Sequence, residues 1–245
     1  MALIDNIVSY WKLEEASGNR ADAAGSNTLT DNNTVTNGAG IIDDGAYFAS
    51  ANSEYLSNGS PTGIPTGANA RTFNFWFKAV SIGVAKSFFF FGAASTNNMQ
   101  SCYNNGTFLS YNGYGNDLEY NSASFSADTW YMITCKFDGT TAKLYVNAAE
   151  VASGDKSSWN TSSGAFQMGV ENTSNYFLNG AMDEFGIWSR ALSDAEITEL
   201  YNSGAGLQYP FSTSEIKTIN GLAKASVKEV NGLAIASVKN WNGLA

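Results

Sequence analysis

Short apolar runs, some alternating and some continuous, are cut by Gly, Asn, Ser and Asp along most of the chain. That rhythm predicts β-strands joined by turns. Strands are expected over residues 7–13, 46–48, 55–57, 72–78, 87–91, 100–103, 107–111, 130–137, 141–146, 166–170 and 181–188. The run 72–78 alternates most clearly: a period of two sends Phe73, Phe75 and Phe77 to one face and Trp76 to the other. Asp138-Gly139 predicts a tight hairpin turn, because glycine reaches positive φ without a steric cost.

One helix stands out. Ser193-Asp194-Ala195-Glu196 is a capping box, in which the serine hydroxyl and the glutamate satisfy orphan amides reciprocally. Leu192 and Ile197 are spaced as a hydrophobic staple, Ile197, Leu200 and Tyr201 share a face, and Gly204 offers the stop. Many strands with one late helix predict a sandwich or jelly roll.

Composition supports that outline. A chain of 245 residues suits one large all-β domain with an appendage. It is 44% hydrophobic and 13% aromatic with only 3 prolines, which describes strands and turns and excludes a disordered chain. The net charge of −9 argues against duplex nucleic acid or an anionic membrane surface as the main partner. Residues 1–211 carry 9 basic and 20 acidic side chains, against 4 and 2 in 212–245, so an acidic body precedes a mildly basic tail. There is no histidine, and the two cysteines, Cys102 and Cys135, make neither a disulfide framework nor a zinc spacing. Cys135 lies in a strand-like run, where a buried thiol is expected and a bridge is the alternative. The first residues lack a basic segment followed by an apolar one, and no apolar stretch approaches a membrane span. Synthesis in the cytoplasm is therefore expected, with virion assembly and lysis as one route out of the cell.

Four fragments carry a resemblance. They are Val8-Ser9-Tyr10-Trp11-Lys12-Leu13 with Gly18 and Asp22; the 72–78 strand; Trp130 to Gly139 with Leu144-Tyr145-Val146-Asn147; and Asn179-Gly180-Ala181-Met182-Asp183-Glu184 leading into the capped helix. In this order they resemble the laminin-G-like, concanavalin A-like jelly-roll family over about residues 5–206. The resemblance implies an all-β concanavalin A-like sandwich over residues 1–208 with one short C-terminal helix, followed by a tail over 209–245. It also implies calcium as a candidate cofactor, with Asp22 and Asp183 at matching positions; a turn-forming or salt-bridged role is the alternative. Where the family has Asn-Gly, this chain has Asn147-Ala148, so a looser turn is expected there.

The scaffold hosts lectins, glycosidases and adhesion modules alike, so function must come from a site. A glycosidase needs two carboxylates flanking the scissile bond. The nearest pairs are Asp117/Glu119, in a Gly/Asn-rich loop, and Asp183/Glu184, which a strand would point to opposite faces. Without histidine the usual base of a nucleophilic triad is missing as well. A non-catalytic role is expected. Tyr103, Tyr111 and Tyr114, interleaved with Asn and Gly, and the loop residue Trp159 are the candidate ligand contacts, with glycans as the candidate ligand. Cover for strand edges is the alternative reading of these rings.

The tail repeats with a period of eleven. Ile219-Asn220-Gly221-Leu222 returns as Val230-Asn231-Gly232-Leu233 and again as Trp241-Asn242-Gly243-Leu244. Each copy is a β-prone run ending in a turn-forming Asn-Gly, and such a small meander is not stable alone. These residues are therefore expected to dock on a partner: the sandwich, a sister chain or a larger assembly. The repeats resemble C-terminal segments of tailed-phage structural proteins. The combined expectation is a virion-surface protein (a capsid decoration, head fibre or tail-associated component) with an outward jelly roll that binds glycans. A bacterial carbohydrate-binding or adhesion module is the alternative, and a glycoside hydrolase ranks below it.

Overall fold

In the computed structural model, the described residues are 1–81, 83–172 and 176–211, together with the backbone of 218–219, 222–223, 229–230 and 233–234. The chain divides into two compact units, Met1–Pro210 and Phe211–Ala245.

The first unit begins with β1 (Ile7–Trp11), β2 (Thr30–Asn32), β3 (Thr36–Ala39), β4 (Asp44–Phe48) and β5 (Tyr55–Asn58). The long β6 (Arg71–Ala79) follows, then β7 (Lys86–Gly92), β8 (Met99–Asn104), β9 (Leu109–Asn112) and β10 (Leu118–Tyr120). The last strands are β11 (Trp130–Phe137), β12 (Thr141–Val146), β13 (Ala149–Asp155), β14 (Phe166–Met168) and β15 (Gly180–Trp188), before the helix α1 (Asp194–Tyr201). They form two antiparallel sheets. Sheet I runs β13-β12-β11-β6-β15-β4-β3, with β1 also paired to β15; sheet II runs β10-β9-β8-β7-β14-β5-β2. This is the expected all-β jelly-roll sandwich.

The core lies between the sheets and is mainly aromatic. Phe73, Phe75 and Phe77 of β6 face inward as their alternation predicts, against Phe88, Phe89 and Phe91 of β7. Phe73 and Phe89 stack at 4.4 Å, Phe75 and Phe185 at 5.2 Å, and Trp11 and Phe166 at 5.1 Å. Trp76, on the other face of β6, stacks on Tyr201 of the helix. The outer face of sheet I thus receives α1. Its start is the expected capping box, with Ser193 and Glu196 bonded reciprocally. It ends at Asn202, whose φ of 46° is left-handed, rather than waiting for Gly204.

Two turns differ from expectation. The β11–β12 hairpin is longer than a two-residue turn: Asp138 N–H donates to the Thr141 carbonyl, and the Asp138 carboxylate accepts the Thr140 and Thr141 amides. Gly139 still supplies the positive φ, at 107°. The β12–β13 turn is tight instead of loose. Val146 pairs with Ala149, which leaves only Asn147 and Ala148 at the turn, with φ of 51° and 65°. Both central residues of this turn are left-handed, the geometry that favours Asn-Gly. Asn147 is held on both sides, its N–H donating to the Met132 carbonyl and its side-chain oxygen accepting the Met132 N–H.

In the second unit, β16 (Thr218–Ile219) pairs with β17 (Leu222–Ala223), and β18 (Glu229–Val230) with β19 (Leu233–Ala234). Ile219 faces Leu222 and Val230 faces Leu233 in these pairs, each separated in sequence by an Asn-Gly. Asn220, Gly221, Asn231, Gly232, Trp241, Asn242, Gly243 and Leu244 lie outside the described residues.

An alanine at φ 65° is costly, because its Cβ crowds the carbonyl. Ala148→Gly is therefore expected to stabilise the protein by about 1 kcal/mol, net of the glycine's greater freedom in the unfolded chain. Urea denaturation with an unchanged m-value checks this; a loss of stability would contradict the strained-turn account.

Candidate functional site

Two of the four candidate ligand rings are interior. Tyr111 is 0% exposed and Trp159 is 1% exposed. Tyr111 points inward from β9, opposite Cys102 and Leu118, and meets Trp159 edge-on at 4.9 Å. Trp159 also packs on Phe137 at 5.3 Å, and its indole N–H donates to the Asn116 carbonyl at 2.9 Å. Gly113 lies so close that a Cβ there would stand 2.0 Å from the indole nitrogen. These two rings fill one end of the sandwich and do not meet a ligand. Tyr114, at the tip of the same loop with φ 62°, is 48% exposed.

Tyr103 is the half-buried ring that finds company. The sheet II register places it on the outward side of β8, opposite Ser87 of β7 and Ser110 of β9; one strand further, Glu119 of β10 faces Ser110. Tyr176 stacks on Tyr103 at 5.9 Å and 12°, and Phe108 meets it edge-on at 5.5 Å. Tyr176 is 48% exposed and adopts a left-handed φ of 56°. Its carbonyl accepts the Ser87 N–H at 2.7 Å, which fixes the loop against β7. Beside the rings runs a polar chain on the same outward side: Asn112 bonds Ser110, and its amide donates to Ser101 at 3.0 Å.

Acidic groups surround this platform. Burial, followed by the nearby Asp117, Glu119 and Glu171, pushes the Tyr103 phenol up to about 12. Glu171 is itself held above the usual carboxylate range by burial and by Asp117. Its Oε2 is buried and has no hydrogen-bond partner among the described residues. The sequence reading named Tyr103 but missed Tyr176 and Glu171, whose Asn-rich loop has the same Tyr-and-Asn composition as residues 103–121.

The second group of carboxylates is structural. Asp183 and Glu184 form a bulge in β15, where Asp183 faces Trp76 but Gly186 already faces Asn74. Glu184 takes the left-handed φ of 52°, and both side chains are buried. Asp183 Oδ2 accepts the Ile41 and Ile42 amides at 2.8 and 3.1 Å, and Oδ1 accepts the Glu184 amide. Close packing there leaves no room for a side chain at residue 40: a Cβ on Gly40 would lie 2.4 Å from Asp183 Oδ2. Glu184 accepts the Tyr10 hydroxyl and the Gln208 amide. Asp22, the other candidate calcium ligand, accepts four backbone amides, from Tyr10, Ala24, Gly25 and Asn27. Calcium needs oxygens aimed at the ion, and these oxygens face N–H donors instead. The residues present do not fit calcium. Among the described residues no group of three or more Cys, Asp or Glu side chains is placed to hold a metal.

A family model described as Concanavalin A-like lectin/glucanases superfamily (Laminin_G_3) matches residues 44–198. No curated protein matches the chain. Among solved structures, it is similar to domain 4 of AbnA, a GH43 extracellular arabinanase from Geobacillus stearothermophilus, in complex with arabinotriose. The TM-score is 0.64 at 19% identity, covering 79% of this chain and 97% of that one. The binding domain of Paraclostridial Mosquitocidal Protein 1 gives 0.68 at 17% identity, over 83% and 53%. The botulinum neurotoxin serotype G binding domain gives 0.64 at 15% identity, over 81% and 51%. At these identities the likeness is one of fold, and the chain spans about half of each toxin binding domain.

The buried bulge carboxyls set a pH dependence. Burial raises Asp183 to about 8, with Glu184 adding to it, and raises Glu184 to about 7 against the bonds from Tyr10 and Gln208. Both values exceed those of an unfolded chain, about 4, so the folded state holds more protons between these limits. Their contribution is complete below about pH 4 and is lost as pH rises through 7 and 8. Glu196 acts oppositely. Burial opposes its charge, but Arg190 and Ser193 outweigh that and hold it at about 2, so its contribution is present above about pH 4 and lost as pH falls towards 2. Denaturant midpoints are expected to fall from pH 5 to 8 by the equivalent of about 2 kcal/mol or more. Glu184→Gln should flatten much of that slope, and a slope unchanged by the substitution would contradict the assignment.

Proposed function

The chain belongs to the Concanavalin A-like lectin/glucanases superfamily, and from that premise we propose that it is a non-catalytic module that captures glycans on the Tyr103–Tyr176 platform. It is a jelly roll of the carbohydrate-binding type, and several structures like it are binding domains. The observation that carries the proposal is the stacked Tyr103–Tyr176 pair, one ring of which is exposed. Sugar C–H faces pack on aromatic rings, while their hydroxyls need polar partners such as the exposed Glu119 on the same side of the sheet. The absence of histidine and the saturation of Asp183 and Glu184 by protein donors favour binding over turnover.

The tail belongs to the same proposal as a docking element. Its two hairpins repeat at eleven residues, and hairpins of two-residue strands bury too little surface to be stable alone. A larger assembly supplies that surface; the virion surface is the assembly proposed, because the repeats resemble those of phage structural proteins. A bacterial adhesion module using the same platform is the second reading.

Tyr176→Ala is expected to weaken glycan binding about tenfold, as loss of a stacking face does, with the far-ultraviolet circular dichroism and the denaturant midpoint of the fold unchanged. Glycan-array titration of wild type and variant checks this, and equal binding by both would remove the platform from the proposal. Removal of residues 212–245 should abolish incorporation into the assembly and leave glycan binding intact. Particles that carry the shortened chain at wild-type levels would refute the docking role.

A further inference from the structure

Resting on the glycan-binding reading, we infer that the Tyr103–Tyr176 site takes uncharged or amine-bearing sugars and excludes sialylated, uronate-containing and sulfated ones. The register places the exposed Glu119 on the same outward side as Tyr103, two strands away, and Asp117 and Glu171 add to the upward shift of the Tyr103 phenol. The charge that bears on Glu171 is again acidic, Asp117. Acidic sugars are recognised by guanidinium or ammonium groups that donate to their carboxylate or sulfate oxygens. The body of the protein has 9 such groups over residues 1–211, and each is engaged by a group other than Tyr103, Tyr176 or Glu171.

Lys86 donates to the Ser81 and Val84 carbonyls, Lys136 pairs with Asp194, Lys143 with Glu150, and Arg190 with Glu196. Arg71 lies over the Phe137 ring and donates to Pro65 and Gly67. Lys12 and Arg20 are held by Gln208 and Gly18, and Lys78 by Tyr47. That leaves Lys156, which is bonded to the Asn116 side chain at 3.0 Å. It touches neither Tyr103 nor Glu171.

An incoming carboxylate or sulfate would therefore meet acidic neighbours with no cation among the described residues to receive it, and the repulsion from the exposed Glu119 is the part that salt screens. A hydroxyl or ammonium meets the opposite situation. Neither meets that repulsion, and an ammonium also gains from the ring faces and from the exposed Glu119.

The test uses the full-length protein on matched glycan pairs: lactosamine-terminated chains with and without sialic acid, and gluco-oligosaccharides beside their glucuronate counterparts. Wild type, Tyr176→Ala and the exposed-site variant Glu119→Gln are titrated at low salt and at high salt. Tyr176-dependent binding is expected to be at least tenfold weaker for each anionic member at low salt. The gap should narrow at high salt and in Glu119→Gln. Tyr176-dependent binding of an anionic glycan as tight as that of its uncharged partner overturns the selectivity and leaves the glycan-binding reading standing. Binding that no glycan shows, or that Tyr176→Ala leaves unchanged for every glycan, overturns both.

Discussion

The sandwich depends on one strand that changes partner. β15 pairs with β6 along one side for nearly its whole length, while its other side is shared by β4 at Gly180–Met182 and β1 at Phe185–Trp188. The bulge at Asp183–Glu184 makes the change possible, because an extra residue bends the strand and breaks the ladder where one neighbour gives way to the next. Asp183 then secures the β3–β4 hairpin through the Ile41 and Ile42 amides, and Glu184 secures β1 through the Tyr10 hydroxyl. Phe185 turns into the core against Phe75, Phe89, Phe166 and Trp11. Two acidic residues are thus kept inside the protein at an electrostatic cost, visible in their raised pKa values, to join three chain segments at one point.

That joint is followed by the segment that covers one sheet. The segment after β15 returns over sheet I. Thr72 accepts the Leu192 amide and donates to the Arg190 carbonyl, Trp76 stacks on Tyr201, and Lys136 and Tyr145 both bond Asp194. The outer side of sheet I is therefore committed to α1 and the chain around it. Sheet II carries Ser87, Ser101, Ser110 and Asn112 at outward positions, all of them buried, together with the half-buried Tyr103 and the exposed Glu119. The accessible part of that side is thus its aromatic and acidic margin, with Tyr176 stacked on Tyr103.

The sequence made the centre of each sheet legible and its margins obscure. Strands such as β6, β7, β11 and β15 are flanked on both sides and packed on the core, so they carry long apolar or alternating runs. The four unforeseen strands, β2, β3, β10 and β13, are the outermost strands on the two sheet paths. β2 and β3, Thr-Asp-Asn and Thr-Asn-Gly-Ala, bear no hydrophobic period, and β10, Leu-Glu-Tyr, alternates but is too short for the period to stand out. The ligand residues failed for a related reason. Tyr103 and Tyr111 sit in similar Tyr/Asn surroundings, yet one faces outward and the other inward, and strand register alone separates them. Tyr176 joins Tyr103 through the bond from Ser87 and the ring stack, contacts between distant segments that local pattern does not record.

The two acidic groups of the molecule illustrate how similar side chains acquire opposite uses. A glycosidase pair must face an open cleft with one carboxyl kept protonated and the other ionised. Asp183 and Glu184 have the raised pKa values that such a pair would need, but Asp183 is bound by three backbone amides and Glu184 by Tyr10 and Gln208. A perturbed pKa in this protein therefore marks a joint in the fold and not a reacting group. Glu171 is raised by burial and by Asp117, and its buried Oε2 has no partner among the described residues. Hydrogen-bond saturation, rather than the size of an electrostatic perturbation, is what assigns Asp183 and Glu184 to the fold.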